Sequence, residues 1–382
     1  MPSHKSQHYV PQFYLRYFSL DNNKKNINLF NLESQKYIVG ASIRHQSCKD
    51  YFYGKDGAIE SSLGQLESRS EEVFSNMIRN NIHPSYRTKE HDVILAFTFF
   101  LHLRTVESAE TQNEMLDRFV KQIVSKDPKI KDHLDSFRAV YDNPTGAALQ
   151  MMSSWYPILM DLAYKIILNC TERPFITSDH PVVLYNQFLE SRRTIVSNTG
   201  LASKGLQVFF PISPKHLLLF YDKDTYKVHG MFHRPVPLRN VADIDSINGI
   251  QSLNATANLY FNGAVGDSYI RKLVEQFAPF KRKSRATVKE FDGRRTPDGH
   301  MTSFLLTYKE DIKCNLALDF VRLTKEAKQF TMDTRLAYYR NEGLVRVHDE
   351  FMAEVEKGRY NPAEFDSYLK ARIDEMRSHQ PD

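Results

Sequence analysis

AIESSLGQLESRSEEVFSNMIRN, residues 58–80, is the stretch whose reading decides the fold class. Ile59, Leu63, Leu66, Val73, Phe74 and Met77 recur at spacings of three and four, the period of a helix with one buried face. The residues before it keep a shorter period. Asn26 to Leu32 reads as a strand with Ile27, Leu29 and Phe30 towards a core. Lys36 to Gly40 and Cys48 to Tyr53 read as further short strands, closed by a turn at Gly54-Lys55-Asp56-Gly57. Runs of strands followed by runs of helices point to an α+β fold.

Working outward, His91 to about Ser125 reads as a second long helix. Its segment Ile94 to Leu101 is apolar nearly all round, which places it centrally. Helical periodicity continues through residues 127–141 and 145–163. Strand character returns at Lys165–Cys170, Phe175–Asp179, Leu206–Phe210 and His216–Tyr221, with Pro211 to Pro214 as a rigid turn. Helices are expected at Val241–Phe261 and Ser268–Phe277, and a last strand at Ser303–Thr307. Leu316 to about Glu342 and Pro362 to Ser378 read as charged helices. The expected architecture is an α+β body over residues 1–280, its mixed or antiparallel sheet packed with long helices. A basic linker with one strand follows at 281–310, and a C-terminal helical appendage at 311–382 is available for homo-oligomer contacts.

Composition narrows the class. Of 382 residues, 41% are apolar and 25% charged, enough to bury a core and too apolar for a disordered chain. A net charge of +5 over this length is mild and does not by itself imply nucleic acid. Cys48, Cys170 and Cys314 are far apart, which argues against a disulfide framework or zinc knuckle and for a reducing cytoplasm. The longest apolar run, Val93 to Leu101, falls well short of the ~20 residues of a membrane span. No Walker A loop, dinucleotide fingerprint or H-E-x-x-H is found.

Three blocks carry the polar residues of interest. His8-Tyr9-Val10-Pro11-Gln12-Phe13-Tyr14-Leu15-Arg16-Tyr17-Phe18 opens the chain, Phe175-Ile176-Thr177-Ser178-Asp179-His180-Pro181-Val182 lies in the middle, and Phe210-Pro211-Ile212-Ser213-Pro214 follows. With the Glu60 helix and Asn248 and Asn254, their order resembles a bacterial family known as domain of unknown function 4238, over roughly residues 4–280. His180 departs from the resemblance, which leads one to expect Asn there. The resemblance implies no activity.

The chemistry is read from the residues. Pro11 suits the first turn of a short helix, so Gln12 and Arg16 share one face with His8 just ahead, alongside His4. A histidine and an arginine there make a corner for a phosphate; the bland alternative is a hydrogen-bonded loop. Glu60 and Glu67 differ by ~20° around their helix and ~10.5 Å along it, with Glu71 on the same border. Carboxylates at the edge of an apolar face call for a cation or join a site with other segments. Arg104, after Phe99-Phe100-Leu101-His102-Leu103, is either their structural partner or an anion clamp. Ser178 and Asp179 end a strand and serve either a cleft or a turn cap. Asn248, Gln251 and Asn254 either pin a loop, the favoured reading, or read a ligand edge.

Two functions are expected as alternatives. The first is a metal-assisted phosphodiesterase, most plausibly a nuclease and an effector in bacterial defence. Glu60, Glu67 and Asp179 would hold Mg²⁺ or Mn²⁺, His8 would move the proton, and Gln12, Arg16, Arg104 and Ser178 would bind substrate. Lys281, Arg282, Lys283 and Arg285 would attract the nucleic-acid backbone. The second is a binding or sensing protein whose polar blocks are structural.

Overall fold

Alternation along Gln207–Ser213 explains the layering. Val208, Phe210 and Ile212 enter one apolar cluster, whereas Phe209 between them enters another. The antiparallel neighbour His216–Tyr221 divides in the same way, with Leu218 and Phe220 on the first side and Leu217 and Leu219 on the second. The sheet holding these strands is therefore a middle layer with both faces covered.

The structure, a computed structural model, describes residues 5–55, 57–192, 194, 196–230, 234–295, 301–333 and 337–378. The chain begins with β1 (Ser6–His8), α1 (Gln12–Arg16), β2 (Asn26–Asn31), β3 (Lys36–Ser42) and β4 (Cys48–Asp50). The helices α2 (Ala58–Asn80), α3 (Lys89–Leu103), α4 (Val106–Val124) and α5 (Pro144–Leu159) follow. Next come β5 (Ala163–Asn169), β6 (Thr177–Ser178), β7 (Val183–Tyr185), α6 (Gln187–Glu190), β8 (Gln207–Ser213), β9 (His216–Tyr221), β10 (Tyr226–Val228) and β11 (Val236–Leu238). After α7 (Val241–Asn254), β12 (Asn258–Phe261) and α8 (Asp267–Phe277) the chain pairs β13 (Ala286–Arg295) with β14 (Met301–Lys309). It ends with β15 (Val321–Leu323), α9 (Lys325–Gln329), α10 (Glu342–Glu356) and α11 (Phe365–Ser378).

The middle sheet has the order β11-β5-β9-β8-β7 and is mixed, because β11 joins β5 in parallel while the other pairs are antiparallel. A second, antiparallel sheet runs β3-β2-β12-β6. The first cluster joins α1, α2 and α3 to the middle sheet through Phe13, Phe74, Phe97 and Phe210. The second joins the other face to α7 and α8 through Ile244, Ile247 and Leu273. Gly249 lets Phe277 of α8 lie directly on α7, since a Cβ there would stand 2.1 Å from the ring. The fold is α+β, as expected.

Five expected elements differ. The single helix from His91 to Ser125 is two, because Thr105 leaves helical geometry (φ −92°, ψ 164°) and its side chain caps the Ser108 N–H. The expected helix over 127–141 is only a 3₁₀ turn at Lys131–Ser136; a proline at 128 disfavours helical geometry in the residue before it. The expected helix Val241–Phe261 stops at Asn254, and the next amides bind the Asp179 carboxylate before β12.

The stretch from Leu316 to Glu342 is not one helix: Leu316, Leu318 and Phe320 alternate into the second cluster, β15 pairs with β10, and the short α9 follows. The linker and the start of the appendage are thus built onto the body, β13 and β14 packing on α4. Pro211 to Ser213 lies in β8 rather than in a turn. Among the described residues no helix is long and apolar enough to cross a membrane, and Cys48, Cys170 and Cys314 are free thiols.

Candidate functional site

Strand β1 pairs antiparallel with β4, placing His8 opposite Cys48 and Gln7 opposite Lys49. That pairing brings the chain's opening block against the first turns of α2. The result is a cleft of about 390 Å³ lined by His8, Gln12, Phe13, Arg16, Tyr53, Glu60, Leu63, Gly64, Glu67, Ser68 and Glu71. Glu60, Gly64, Glu67 and Glu71 recur along one face of α2, and a Cβ built on Gly64 would meet nothing within 4 Å. The glycine leaves the middle of the cleft open.

Each polar group has a definable state. His8 Nε2 lies 3.1 Å from the Arg44 carbonyl. A carbonyl only accepts, so Nε2 carries the proton and Nδ1 keeps the lone pair. Burial pushes the His8 pKa below its ordinary value, against the Arg44 hydrogen bond and the carboxylates of Glu67 and Glu60. Gln7, which the sequence reading passed over, is fully buried and organises one wall. Its Oε1 accepts from Tyr53 N–H (2.7 Å), while its Nε2 donates to Gly54 O (3.1 Å) and to Glu60 Oε2 (3.2 Å). Alternation along β1 and the turn at Gly54 are the only sequence signals that point to it.

Arg104 lies behind this wall, 2% exposed, with Nη2 2.7 Å from Glu67 Oε1 and Nε donating to the Tyr9 carbonyl at 3.2 Å. The Glu67 side chain is 30% exposed and joins that buried cation to the cleft. The structural partnership, one of two readings of Arg104, is the one seen. By contrast, Gln12, Arg16 and Glu71 line the cleft with side chains that make no hydrogen bond or ion pair among the described residues. Helix α1 has five residues, with Pro11 at its N-cap rather than in its first turn. A helix that short adds no appreciable dipole to an anion site. His4 lies outside the described residues.

A family model described as protein of unknown function, DUF4238, matches residues 6–264. The chain belongs to that family. No curated protein and no solved structure matches it. The family region takes in the cleft, both main sheets and the buried polar segment around Asp179.

Asp179 does not reach the cleft. Its Oδ1 accepts from Thr256 N–H (2.9 Å) and its Oδ2 from Ala257 and Asn258 N–H (2.7 and 3.2 Å), which fixes the turn from α7 into β12. Burial raises its pKa to about 6, against those three hydrogen bonds. Ser178 Oγ accepts from Gln251 Nε2 at 2.6 Å and from His180 N–H at 3.1 Å. Asn254 donates to the His180 and Val182 carbonyls, and Asn248 accepts from Ile176 N–H. These amides pin the loop, as expected. The cation set of Glu60, Glu67 and Asp179 is not brought together, and among the described residues no group of three His, Cys, Asp or Glu is placed to hold a metal.

The basic run occupies a second concavity of about 640 Å³, where seven Arg and Lys side chains face three carboxylates. Arg282 and Arg285 are drawn inward by buried Glu107, at 3.2 and 3.0 Å, while Lys281 and Lys283 are exposed.

Proposed function

We propose that this protein is a phosphodiesterase acting on nucleic acid, with His8, Gln12, Arg16 and Glu60 as its working residues. The observation that carries this reading is their convergence in one open cleft from segments about fifty residues apart, with Gln12 and Arg16 unpaired. In the proposed reaction His8 Nδ1 takes the proton of a water as its oxygen bonds to phosphorus, the bond to the leaving oxygen breaks, and that oxygen takes a proton from solvent in the open cleft. Gln12 and Arg16 hold the phosphate oxygens, and Gln7 fixes the direction of Glu60. Glu67 is committed to Arg104 and Asp179 to three amides, so the carboxylates left to face Mg²⁺ or Mn²⁺ are Glu60 and Glu71. The exposed Lys281 and Lys283 would add backbone attraction.

Labelled single- and double-stranded DNA and RNA, incubated with the protein in Mg²⁺, Mn²⁺ or EDTA, test this reading. Cutting that is lost in both His8→Ala and Glu60→Gln supports it, and the EDTA arm decides on the cation. No cutting by a folded wild type, or full cutting by both variants, ends it. Binding without catalysis is the second reading, favoured by the use of Ser178, Asp179 and Arg104 to hold the protein's own chain. Salt-sensitive retention without cleavage, weakened by Lys281→Ala with Lys283→Ala, would support it.

A further inference from the structure

A separate cavity of about 490 Å³ lies between α4, α5 and the loop 197–203, within the size of small-molecule sites. One helix face of α4 contributes Ser108, Thr111 and Met115, and one face of α5 contributes Ala148, Met151, Met152 and Trp155. Met151 and Tyr339 also line it and are exposed. Methionines and a single tryptophan make an adaptable apolar wall.

The polar part of this cavity's lining includes side-chain groups without partners among the described residues. His180 lines it and is 1% exposed; its Nδ1 lies 2.6 Å from Thr105 Oγ1, and its Nε2 has no hydrogen-bond partner among the described residues. The Thr105 hydroxyl also lies 3.4 Å from the His102 carbonyl. The Nδ1–Oγ1 bond can take its proton from either partner, so Nε2 is an unpartnered ring nitrogen, N–H in one tautomer and lone pair in the other. Thr111 Oγ1 is buried and unpartnered as well. Lys309, at the end of β14, lines the same cavity and makes no ion pair or hydrogen bond among the described residues. The carboxylate two residues on, Asp311, is taken by Ser197, Thr199 and the Asn198 N–H. An ammonium, an imidazole nitrogen and a hydroxyl thus line one apolar cavity.

We propose that this cavity binds a small molecule with one anionic head and an apolar body, the head held by Lys309 and Thr111 beside the His180 ring. The site is independent of the His8–Glu60 cleft, with which it shares no lining residue. Polar groups left unpaired in an apolar site favour a ligand that supplies what they lack.

Calorimetric titration of the full chain with octanoate, 2-naphthoate and octan-1-ol tests the proposal. The two acids separate a chain-like from a flat body, and the alcohol lacks the charge. Wild type is expected to bind at least one acid more tightly than the alcohol. Lys309→Met should weaken that acid about tenfold or more while leaving the alcohol unchanged. Lys309→Arg should restore most of the affinity, and Thr111→Val should lower it several-fold without disturbing the fold, which covers the case of a poorly folded Lys309→Met. Absence of acid binding by wild type overturns the proposal. So does acid binding that neither Lys309→Met nor Thr111→Val weakens. Glu60→Gln should bind as wild type, so failure here and failure of the phosphodiesterase reading are told apart.

Discussion

The Arg104–Glu67 pair allows a prediction in which the two ends of one interaction behave differently. Arg104 is 2% exposed and Glu67 30%, at an Nη2–Oε1 separation of 2.7 Å. Removing one member of a buried pair costs roughly 3–5 kcal/mol when the survivor stays desolvated and uncompensated. Glu67→Met leaves such a survivor, a guanidinium whose other placed hydrogen bond is to the Tyr9 carbonyl, and is expected to cost about 3 kcal/mol. Arg104→Met leaves a carboxylate that already reaches water, so its cost should be nearer ~1–2 kcal/mol, mainly the lost Tyr9 bond and imperfect packing.

The double variant has no charge left behind and should be more stable than Glu67→Met alone, with a coupling of about 2 kcal/mol. Urea unfolding of the four proteins, with slopes compared as well as midpoints, measures all of these quantities. Additive single costs, or an Arg104→Met variant less stable than Glu67→Met, would refute the assignment of the desolvation penalty to the cation.

Two glycine substitutions should have opposite signs. Gly64→Ala places a methyl group in open space within α2 and should stabilise the protein by about 1 kcal/mol, while Gly249→Ala, with Phe277 2.1 Å from the new Cβ, should destabilise it by roughly 1–3 kcal/mol; equal effects in thermal unfolding would contradict the packing. Stability should also climb as pH rises from about 4 to 6.5. Burial lowers the pKa of His8, His91, His102, His180 and His216, the last to about 4, so the unfolded chain takes up protons that the folded one refuses. Asp161, Asp179 and Asp243, raised by burial, act in the opposite direction over the lower part of this range. Five histidines outweigh three carboxyls, and a urea midpoint that is flat or falls between pH 4.5 and 6.5 would refute that balance.

The α2 segment shows how much one stretch of sequence can determine. A period near 3.6 fixes its span, its apolar face and the shared border of Glu60, Glu67 and Glu71, because each choice depends on residues three and four apart. Alternation marks β2, and short apolar runs mark β8 and β9. The family blocks, read by their order, locate the residues that line the cleft. Their separate uses are set by partners far along the chain: β1 meets β4 some forty residues later, and Asp179 collects amides from Thr256 to Asn258.

The break at Arg104–Thr105 was written locally, in a capping threonine, but an apolar run on one side and helical periodicity on the other concealed it. Only the tertiary structure decided which polar residues face one another. The cavity between α4 and α5 is the clearest case, since Thr111, His180 and Lys309 belong to a helix, a loop and a strand end with no common period. Local spacing encodes which face of an element is apolar; what that face meets depends on how the layers close.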